Sequence, residues 1–424
     1  MQQDDEIWSR VDLLANLATA ELSAGMSMHE TITRLTECAR AVNLSDACFI
    51  DGGRTVLIQV VQPSGRTHTR ASTPAESGGI DCEQLRRLDL VTTRLSAGDL
   101  GIEQARRAIA EATTATRPWW WGPAGMALLA YCIGLQIGVG PVTALLAVVV
   151  QIAVSLTGLL AGRLTLPRLF SVTTQCLVGG GVAAAAHALS LVTTTSAIAC
   201  LAVTWVLLVP LPLIVSAVVD AVNAKEVAAT SRASLIVLTV GGLVLGGAIV
   251  VLTGKELTAP TGDVTLPAMP IPLILLFSAL GAIANAIANL GAGRLLPTAG
   301  VIGLLTATCN LLLNRGAGLP GGWAAALTAV ALGFGAAWWS RRTDHAASVL
   351  ALMGITGALL PGLTVYHGVV LEIFGQPSAQ YYLSAGLTCI GLGVGTTLGF
   401  VAARHRFTRT RSAAQGENEI TGIS

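Results

Sequence analysis

Long apolar stretches separated by short polar segments make up nearly all of the chain between residues 118 and 403. A helix that crosses a membrane needs about 20 predominantly apolar residues, because it rises only ~1.5 Å per residue. Ten stretches meet this requirement, at roughly 119–139, 141–161, 170–191, 197–219, 233–253, 270–290, 296–313, 320–340, 346–370 and 381–402. The pattern therefore predicts a polytopic α-helical membrane protein with ten transmembrane helices.

Residues 1–117 follow a different pattern, in which apolar and polar positions alternate at helical or strand periods. The predicted elements are helices at 5–23 and 27–43, strands at 47–50, 55–62 and 66–71, and helices at 82–97 and 101–115. Asp81 and Asp99 precede the last two helices and are predicted to be their N-caps. These elements indicate a small N-terminal α+β domain, and residues 404–424 form a polar tail.

The basic residues predict the orientation of the spans. With ten spans and residues 1–117 in the cytoplasm, the inner loops and the tail hold Arg163, Arg168, Lys225, Arg232, Arg294, Arg341, Arg342, Arg404, Arg406, Arg409 and Arg411. The outer side holds Lys255 and Arg315. Because cytoplasmic loops carry an excess of Lys and Arg, both termini are predicted to be cytoplasmic.

Composition narrows the class of protein further. Of 424 residues, 53% are hydrophobic and only 12% are charged, which is about half the charge of a soluble protein. A net charge of +1 gives no reason to expect a nucleic-acid partner. The eight cysteines include no CxxC pair and no cluster with histidine, so we expect no disulfide framework, metal site or cofactor.

Motifs of known catalytic or nucleotide-binding chemistry are missing from the N-terminal domain. Residues 1–117 contain no GxGxxG, Walker, GxSxG or HExxH pattern. His29 and His68 have no obvious catalytic partner residues in the N-terminal domain, and we expect both on its solvated surface. The sequence therefore gives no support for an enzyme or for a catalytic residue.

Small residues recur on one face of two predicted spans. Gly242 and Gly246 share a face of the fifth span, and Gly391, Gly395 and Gly399 share a face of the last span. In membranes, small residues allow two helix backbones to approach closely. We expect these glycines to pack helices together.

Two spans contain proline in mid-sequence and carry an acidic residue further on. Pro210 and Pro212 precede Asp220, which lies ten residues after Pro210, and Pro361 precedes Glu372 by eleven residues. Each broken span is the fourth of five, so the chain divides into halves at 118–255 and 256–403. Because five is odd, the halves enter the membrane from opposite sides, as in transporters with two five-helix inverted repeats.

Broken helices leave backbone carbonyls without donors, which a membrane tolerates only where they line a cavity. Ionisable groups near the breaks are functional candidates by default. Asp220 and Glu372 lie at opposite ends of their spans, where residues also reach the lipid headgroups at low cost. His187 and His367 lie towards the outer side, where a histidine often just bonds a neighbouring helix.

Four stretches carry a resemblance to a known family. They read ELSAGMSMHETITRLTECARAVNL (21–44), LSAGDLGIEQARRAI (95–109), VPLPLIVSAVVDAVNAKEVAATSRA (209–233) and GALLPGLTVYHGVV (357–370). In order and local pattern they resemble the threonine/serine exporter family of bacterial amino-acid efflux carriers, over about residues 11–403. The resemblance implies export of L-threonine and L-serine, driven by the proton gradient in antiport.

Within this interpretation, a substrate cavity is expected between the two halves, around both proline breaks. The residues expected to bind the substrate are Pro210, Pro212, Ser216, Asn223, Pro361, Gly362, Thr364, Tyr366 and His367. Asp220 is expected to couple protons or to bind the substrate ammonium, with Glu372 as its counterpart.

The leading hypothesis is a secondary transporter of the bacterial inner membrane that exports small hydroxyl amino acids. Its expected partners are an amino-acid substrate, protons and the lipid bilayer, and assembly into a homo-oligomer stays open. A passive channel for small solutes is an alternative. A membrane-anchored sensor or enzyme acting through the N-terminal domain is another.

Overall fold

The computed structural model describes residues 2–62, 64–75, 79–114, 117–254, 266–267 and 269–421. Lys255, used above for the orientation, lies outside these residues, as does the predicted boundary between the two halves. In the described N-terminal part the elements are α1 (Gln2–Ser23), α2 (Met28–Ala41), β1 (Cys48–Asp51), β2 (Val56–Val61), β3 (Thr67–Ala71), α3 (Cys82–Ser96) and α4 (Ile102–Ala112). The strands form an antiparallel sheet in the order β1-β2-β3. Every predicted N-terminal element is therefore present.

The core of this N-terminal part lies between the sheet and its helices. Val56, Ile58 and Val60 alternate along β2 towards the buried face, as a strand with period two requires. They join Leu14 of α1 and Leu35 of α2 in one apolar cluster. The expectation for His68 was wrong. The inward-facing position on β3 buries its ring edge-on against Trp8, with ring centroids 4.8 Å apart.

One of the two predicted caps is confirmed. Asp81 accepts a hydrogen bond from the Gln84 N–H at the start of α3. Asp99 is not a cap, because α4 begins two residues later than an Asp99 cap would require. Gly101 is the N-cap, and its N–H donates to the Gln104 side chain. The Asp99 N–H instead donates to the Arg94 carbonyl and closes the end of α3.

In the apolar part of the chain, the described secondary-structure elements are all helices. Its helices are α5 (Trp121–Gln136), α6 (Pro141–Arg163), α7 (Arg168–Ala188), α8 (Thr194–Leu208), α9 (Leu211–Val222), α10 (Glu226–Gly254), α11 (Ile271–Ala288), α12 (Leu295–Leu311), α13 (Gly321–Ser340), α14 (Ala347–Ala358), α15 (Gly362–Ile373) and α16 (Ala379–Thr421), with a π-helical turn at Leu312–Gly316 after α12. Each of the ten predicted spans coincides with one of these helices or with a pair broken at proline. α16 continues beyond the predicted last span into the predicted tail.

Within the described ranges, eight helical segments are long and apolar enough to cross a membrane. α8 and α9 count together as one of the eight, and α14 with α15, bent by 48° at their junction, make a ninth if they count as one span. α5 has only 16 residues and falls short of this length. The chain is therefore a polytopic membrane protein, and its tenth span stays a prediction.

Glycines bring two pairs of helices into backbone contact, as predicted. A Cβ on Gly246 of α10 would lie 2.6 Å from the Cβ of Cys176 on α7. A Cβ on Gly399 of α16 would lie 2.3 Å from the Val330 carbonyl oxygen on α13. Both distances are shorter than van der Waals contact, so only glycine fits at these crossings.

Two consecutive sets of six helices, α5–α10 and α11–α16, pack in the same order. The first two helices of each set contact each other, and the third packs against the sixth. α5 and α11, the first helices of the two sets, also pack together. The segments after the breaks contact the opposite set, since α9 packs on α16 and α15 packs on α8.

The N-terminal part contacts the ends of several apolar helices through hydrogen bonds and apolar packing. The Cys82 N–H donates to the Asn289 carbonyl after α11, and the Ala228 N–H of α10 donates to the Asp51 carboxylate. Met26 and Ile80 share an apolar cluster with Leu211 of α9. The N-terminal part thus covers one face of the helical assembly.

Candidate functional site

The two proline breaks have the same backbone geometry. Pro210 has φ −81° and ψ 65°, and Pro361 has φ −78° and ψ 45°. After each proline, the next N–H donates to the carbonyl two residues back, from Leu211 to Val209 and from Gly362 to Leu360, both at 2.8 Å. This is the inverse γ-turn. Each proline is also the N-cap of the helix that follows it.

Each break frees a carbonyl that an unbroken helix would use. Proline has no N–H, so the carbonyls four residues before Pro210 and Pro361 lose their donor. Val206 accepts instead from the Val209 N–H at 3.3 Å. The Gly357 carbonyl accepts from Nε2 of Gln136 on α5, at 2.9 Å. Gln136 was not among the predicted site residues, because nothing in the sequence brings α5 next to the second break.

Asp220, near the end of α9, is completely buried and joins three parts of the chain. Its Oδ1 accepts the His29 N–H at 2.9 Å, in the first turn of α2. Its Oδ2 lies 3.2 Å from Arg232 Nε on α10. Arg232 Nη2 in turn donates to the Met26 carbonyl at 2.8 Å. Asp220 therefore accepts an N–H of the first turn of α2 and pairs with Arg232, a partner that the sequence did not reveal.

Glu372 has a different environment. The Tyr382 hydroxyl of α16 donates to Glu372 Oε2 at 2.6 Å. His367, one turn earlier on α15, lies between the rings of Tyr366 and Tyr381, with centroids 5.7 and 5.9 Å away. Glu372 is half-buried and Tyr366 is fully buried.

The predicted substrate residues fall into separate places. Pro212 and Ser216 line a small cavity of about 60 Å³ beside Arg232. Asn223 lines a larger cavity of about 270 Å³ between α2, the ends of α9 and α13, and the middle of α16. The second-half residues, which are Pro361, Gly362, Thr364, Tyr366 and His367, line none of the four main cavities among the described residues. No cavity among these four holds both breaks.

We call the 270 Å³ space the interface cavity, defined by His29, Glu30, Arg34, Asn223, Arg341 and Arg404. Its lining includes a carboxylate, three guanidinium groups and an amide. Burial and then the nearby Arg404 lower the pKa of His29 below its usual value, while Glu30 opposes them. The cavity therefore suits a small molecule that carries both a carboxylate and an ammonium group.

A buried ionic cluster supports the interface cavity from the N-terminal side. Arg34 Nη2 pairs with Asp89 at 2.7 Å, and its Nη1 lies 3.6 Å from Oε1 of Glu21. Glu21 is fully buried, and neither of its carboxylate oxygens is hydrogen-bonded within the described residues. Burial raises the pKa of Glu21 to about 8, against the opposing charge of Arg34. Its position on the amphipathic α1 gave no signal of this in the sequence.

No group of three or more His, Cys, Asp or Glu side chains that could hold a metal occurs among the described residues. The polar groups present can bind and position a solute.

Comparisons with known proteins identify the family. The family model ThrE, described as "Putative threonine/serine exporter", matches residues 12–253. A Mycobacterium tuberculosis (strain ATCC 25618 / H37Rv) protein named "Probable threonine/serine exporter" is 29% identical over 425 aligned residues, which cover 95% of this chain and 78% of that protein. No solved structure matches the chain. The matching segment contains the first proline break, Asp220 and Arg232. The chain therefore belongs to the threonine/serine exporter family and is a membrane transporter, not an enzyme.

Proposed function

We propose that this chain exports small hydroxyl amino acids, L-threonine and L-serine, from the cytoplasm in exchange for protons. The observation that carries the proposal is the pair of inverse γ-turns at Pro210 and Pro361, which break two helices in the same way. Secondary transporters form their sites at such breaks. The family and the name of the mycobacterial relative support the substrate class.

We propose ten spans in two inverted five-span halves, 118–255 and 256–403, with the N-terminal domain (1–117) and the tail (404–424) in the cytoplasm. The shared packing order of α5–α10 and α11–α16 supports the repeat. α5 is ~24 Å long at 1.5 Å per residue. Trp119 and Trp120 before it suit a membrane interface and would help it to span.

In this proposal, the substrate enters through the interface cavity and moves towards the breaks. Asn223, Arg341 and Glu30 would receive its carboxylate and ammonium groups at the entrance. Pro210, Pro212, Ser216, Pro361, Gly362, Thr364, Tyr366 and His367 would form the deeper site once the two halves separate. Asp220 and Glu372 would carry the coupled protons. Each would bind its proton after its contact is broken, that of Asp220 with Arg232 and that of Glu372 with Tyr382.

Threonine efflux from preloaded cells tests the function. Cells are loaded with a threonine-containing dipeptide, and efflux is compared with that of empty-vector cells at equal total threonine, with and without an uncoupler. A proton-driven exporter gives faster efflux that the uncoupler abolishes. Efflux that requires expression of the protein but is unchanged by the uncoupler would favour a passive channel. Efflux equal to that of the vector, with the protein confirmed in the membrane, would reject export of threonine and direct the same assay to serine and other small metabolites.

A further inference from the structure

A second charged cavity lies away from the proposed transport path. It has a volume of about 610 Å³ and is enclosed by α3, the segment before α5, the start of α12 and the segment between α13 and α14. We call it the arginine cavity, defined by Arg86, Arg117, Arg294, Arg342 and His345. The N-terminal part contributes one wall, so the cavity is at the end of the helices that this part covers.

The charges that line the arginine cavity are mostly positive. Four guanidinium groups face two carboxylates, those of Glu83 and Asp344. The Glu83 carboxylate already forms ion pairs with Arg86, at 2.8 Å, and with Arg87, at 3.0 Å. Among the described residues, neither Arg294 nor Arg342 forms an ion pair with a carboxylate, and Arg342 instead stacks on Trp338 at 3.7 Å. The cavity is therefore suited to an anion.

Two further features of the cavity also point to an anion. The N-terminus of α12 opens into it, and Arg294, its N-cap, makes no side-chain capping bond there. The Leu295 and Leu296 N–H groups donate to the Ala292 and Gly293 carbonyls, and Pro297 has no N–H. This end therefore contributes only the helix dipole, which favours a negative charge. His345 is 5% exposed, lines the cavity, and its Nδ1 has no hydrogen-bond partner within the described residues. A buried ring nitrogen without a hydrogen-bond partner destabilises the folded protein unless a ligand supplies that partner.

The surroundings of the cavity are those of a membrane interface. Trp119 and Trp120, just after Arg117, are 69% and 49% exposed, and tryptophan is enriched where the hydrocarbon meets the headgroups. Above the cavity, Val301 and Leu305 continue from Thr298 along one face of α12 and are exposed. An acyl chain lying on this face would place its headgroup at the arginines.

We propose that the arginine cavity binds the phosphate headgroup of an anionic phospholipid, whose acyl chains lie along α12. Arginine suits this role, because its planar guanidinium donates two parallel hydrogen bonds to phosphate oxygens. Basic pockets between transmembrane helices are a recurrent form of lipid-headgroup site. The lipid would join α3 of the N-terminal part to the loops before α12 and α14.

The experiment measures the melting temperature of the full-length protein, delipidated in an uncharged detergent. Phosphatidylglycerol, phosphatidylcholine with the same chains, and inorganic phosphate are added separately. Because a ligand stabilises the state that binds it, phosphatidylglycerol should raise the melting temperature by roughly a few degrees. Phosphatidylcholine and inorganic phosphate should raise it far less.

Matched variants assign the effect to the cavity. R294Q/R342Q should lose most of the phosphatidylglycerol shift, whereas R107Q/R163Q, which removes two exposed arginines elsewhere, should keep it. The single variants Arg294→Gln and Arg342→Gln keep more of the fold intact, and each should lose about half of the shift. Equal loss in R107Q/R163Q, or an equal shift with phosphatidylcholine, would overturn the proposal. An equal shift with inorganic phosphate would mean that the cavity binds a free anion and not a lipid.

Discussion

Asp220 joins the N-terminal part to the apolar helices through one buried carboxylate. Its two oxygens contact α2 and Arg232, and Arg232 reaches back to the Met26 carbonyl. With Asp220 charged, these contacts fasten the N-terminal part to α9 and α10. Proton binding would neutralise Asp220 and weaken the pair with Arg232. The same residue can therefore link protonation to the contact between the N-terminal part and the helices.

The pair of Asp220 and Arg232 gives a prediction for stability. Asp220→Asn keeps an acceptor for the His29 N–H but leaves Arg232, whose side chain is only 12% exposed, without its counter-charge. Breaking a buried pair from one side costs about 3–5 kcal/mol, whereas removing both charges is often nearly neutral. We expect a large drop in melting temperature for Asp220→Asn and for Arg232→Gln, and recovery in the double variant.

Transport by the same variants separates two roles of Asp220. If Asp220 carries a coupled proton, D220N/R232Q is stable and present in the membrane but inactive in threonine efflux. If transport returns with stability, Asp220 acts through structure alone. Asp99→Asn, an exposed carboxylate of the N-terminal part, is the matched control and should change neither measurement. Additive losses of stability in the double variant would contradict the pairing.

Glu21 predicts how stability depends on pH. The unfolded carboxyl ionises near its usual pKa of about 4.5, whereas the folded one stays protonated up to a pKa of about 8. Between these values the folded state binds more protons, so the stabilisation due to Glu21 falls as the pH rises. Glu21→Gln should therefore gain melting temperature relative to the wild type from about pH 5 to about pH 8. Glu37→Gln, at an exposed site, should follow the wild type, and parallel curves for all three proteins would contradict the prediction.

Residue environments were the least predictable part of the site. The sequence singled out Asp220 by its place after a proline break, but not Arg232, because the pairing depends on how α9 and α10 turn back on each other. It placed His68 on the surface, since a polar residue in a strand usually faces water, whereas Trp8 of α1 covers it. Glu21 was not singled out, because nothing in the sequence indicates that its carboxylate is buried. Such burial is decided by contacts between distant segments.

Among the elements, the two broken helices differ in how their freed carbonyls are satisfied. Gln136→Leu should leave the Gly357 carbonyl without a donor and cost about 1–3 kcal/mol. Pro361→Ala supplies an N–H that can reach that carbonyl and close the helix. We expect a lower melting temperature for Gln136→Leu and recovery in Q136L/P361A.

Threonine efflux reports whether the break itself is needed. Pro361→Ala should lower efflux at least about tenfold without lowering the melting temperature, because a closed helix removes the γ-turn and its carbonyls. Pro141→Ala is the matched control, since Pro141 starts α6, where its missing N–H has no partner in a helix. It should transport like the wild type. Normal efflux by Pro361→Ala would show that the second break has no part in transport.

The elements themselves were largely predictable, since hydropathy and periodicity reflect which face of each segment is buried. The N-terminal helices and strands, the ten apolar stretches and the glycine contacts of α10 and α16 are all present. Boundaries were less predictable. The structure has only 16 residues in α5, continues α16 beyond the predicted span, and begins α4 after Gly101 and not after Asp99.

At the scale of the whole molecule, the proposed inverted repeat makes equivalent loops lie on opposite sides of the membrane. The loop after α6, which contains Leu166, corresponds to the segment after α12, which contains Ala317. Both residues are exposed, so a cysteine at either position can react. Cys48 on β1 is also exposed and reports the side of the N-terminal part.

Labelling of spheroplasts with a membrane-impermeant maleimide therefore tests the architecture. In the wild type, Cys48 should react only after permeabilisation, which places the N-terminal part in the cytoplasm. In a background with Cys48→Ser, Ala317→Cys should react at once, and Leu166→Cys should react only after permeabilisation. If Leu166→Cys and Ala317→Cys react on the same side, an even number of spans separates the two loops, and the halves are not inverted repeats. Early reaction of Cys48 would reverse the orientation but leave the inverted relation intact, because that relation depends only on the two loops being on opposite sides.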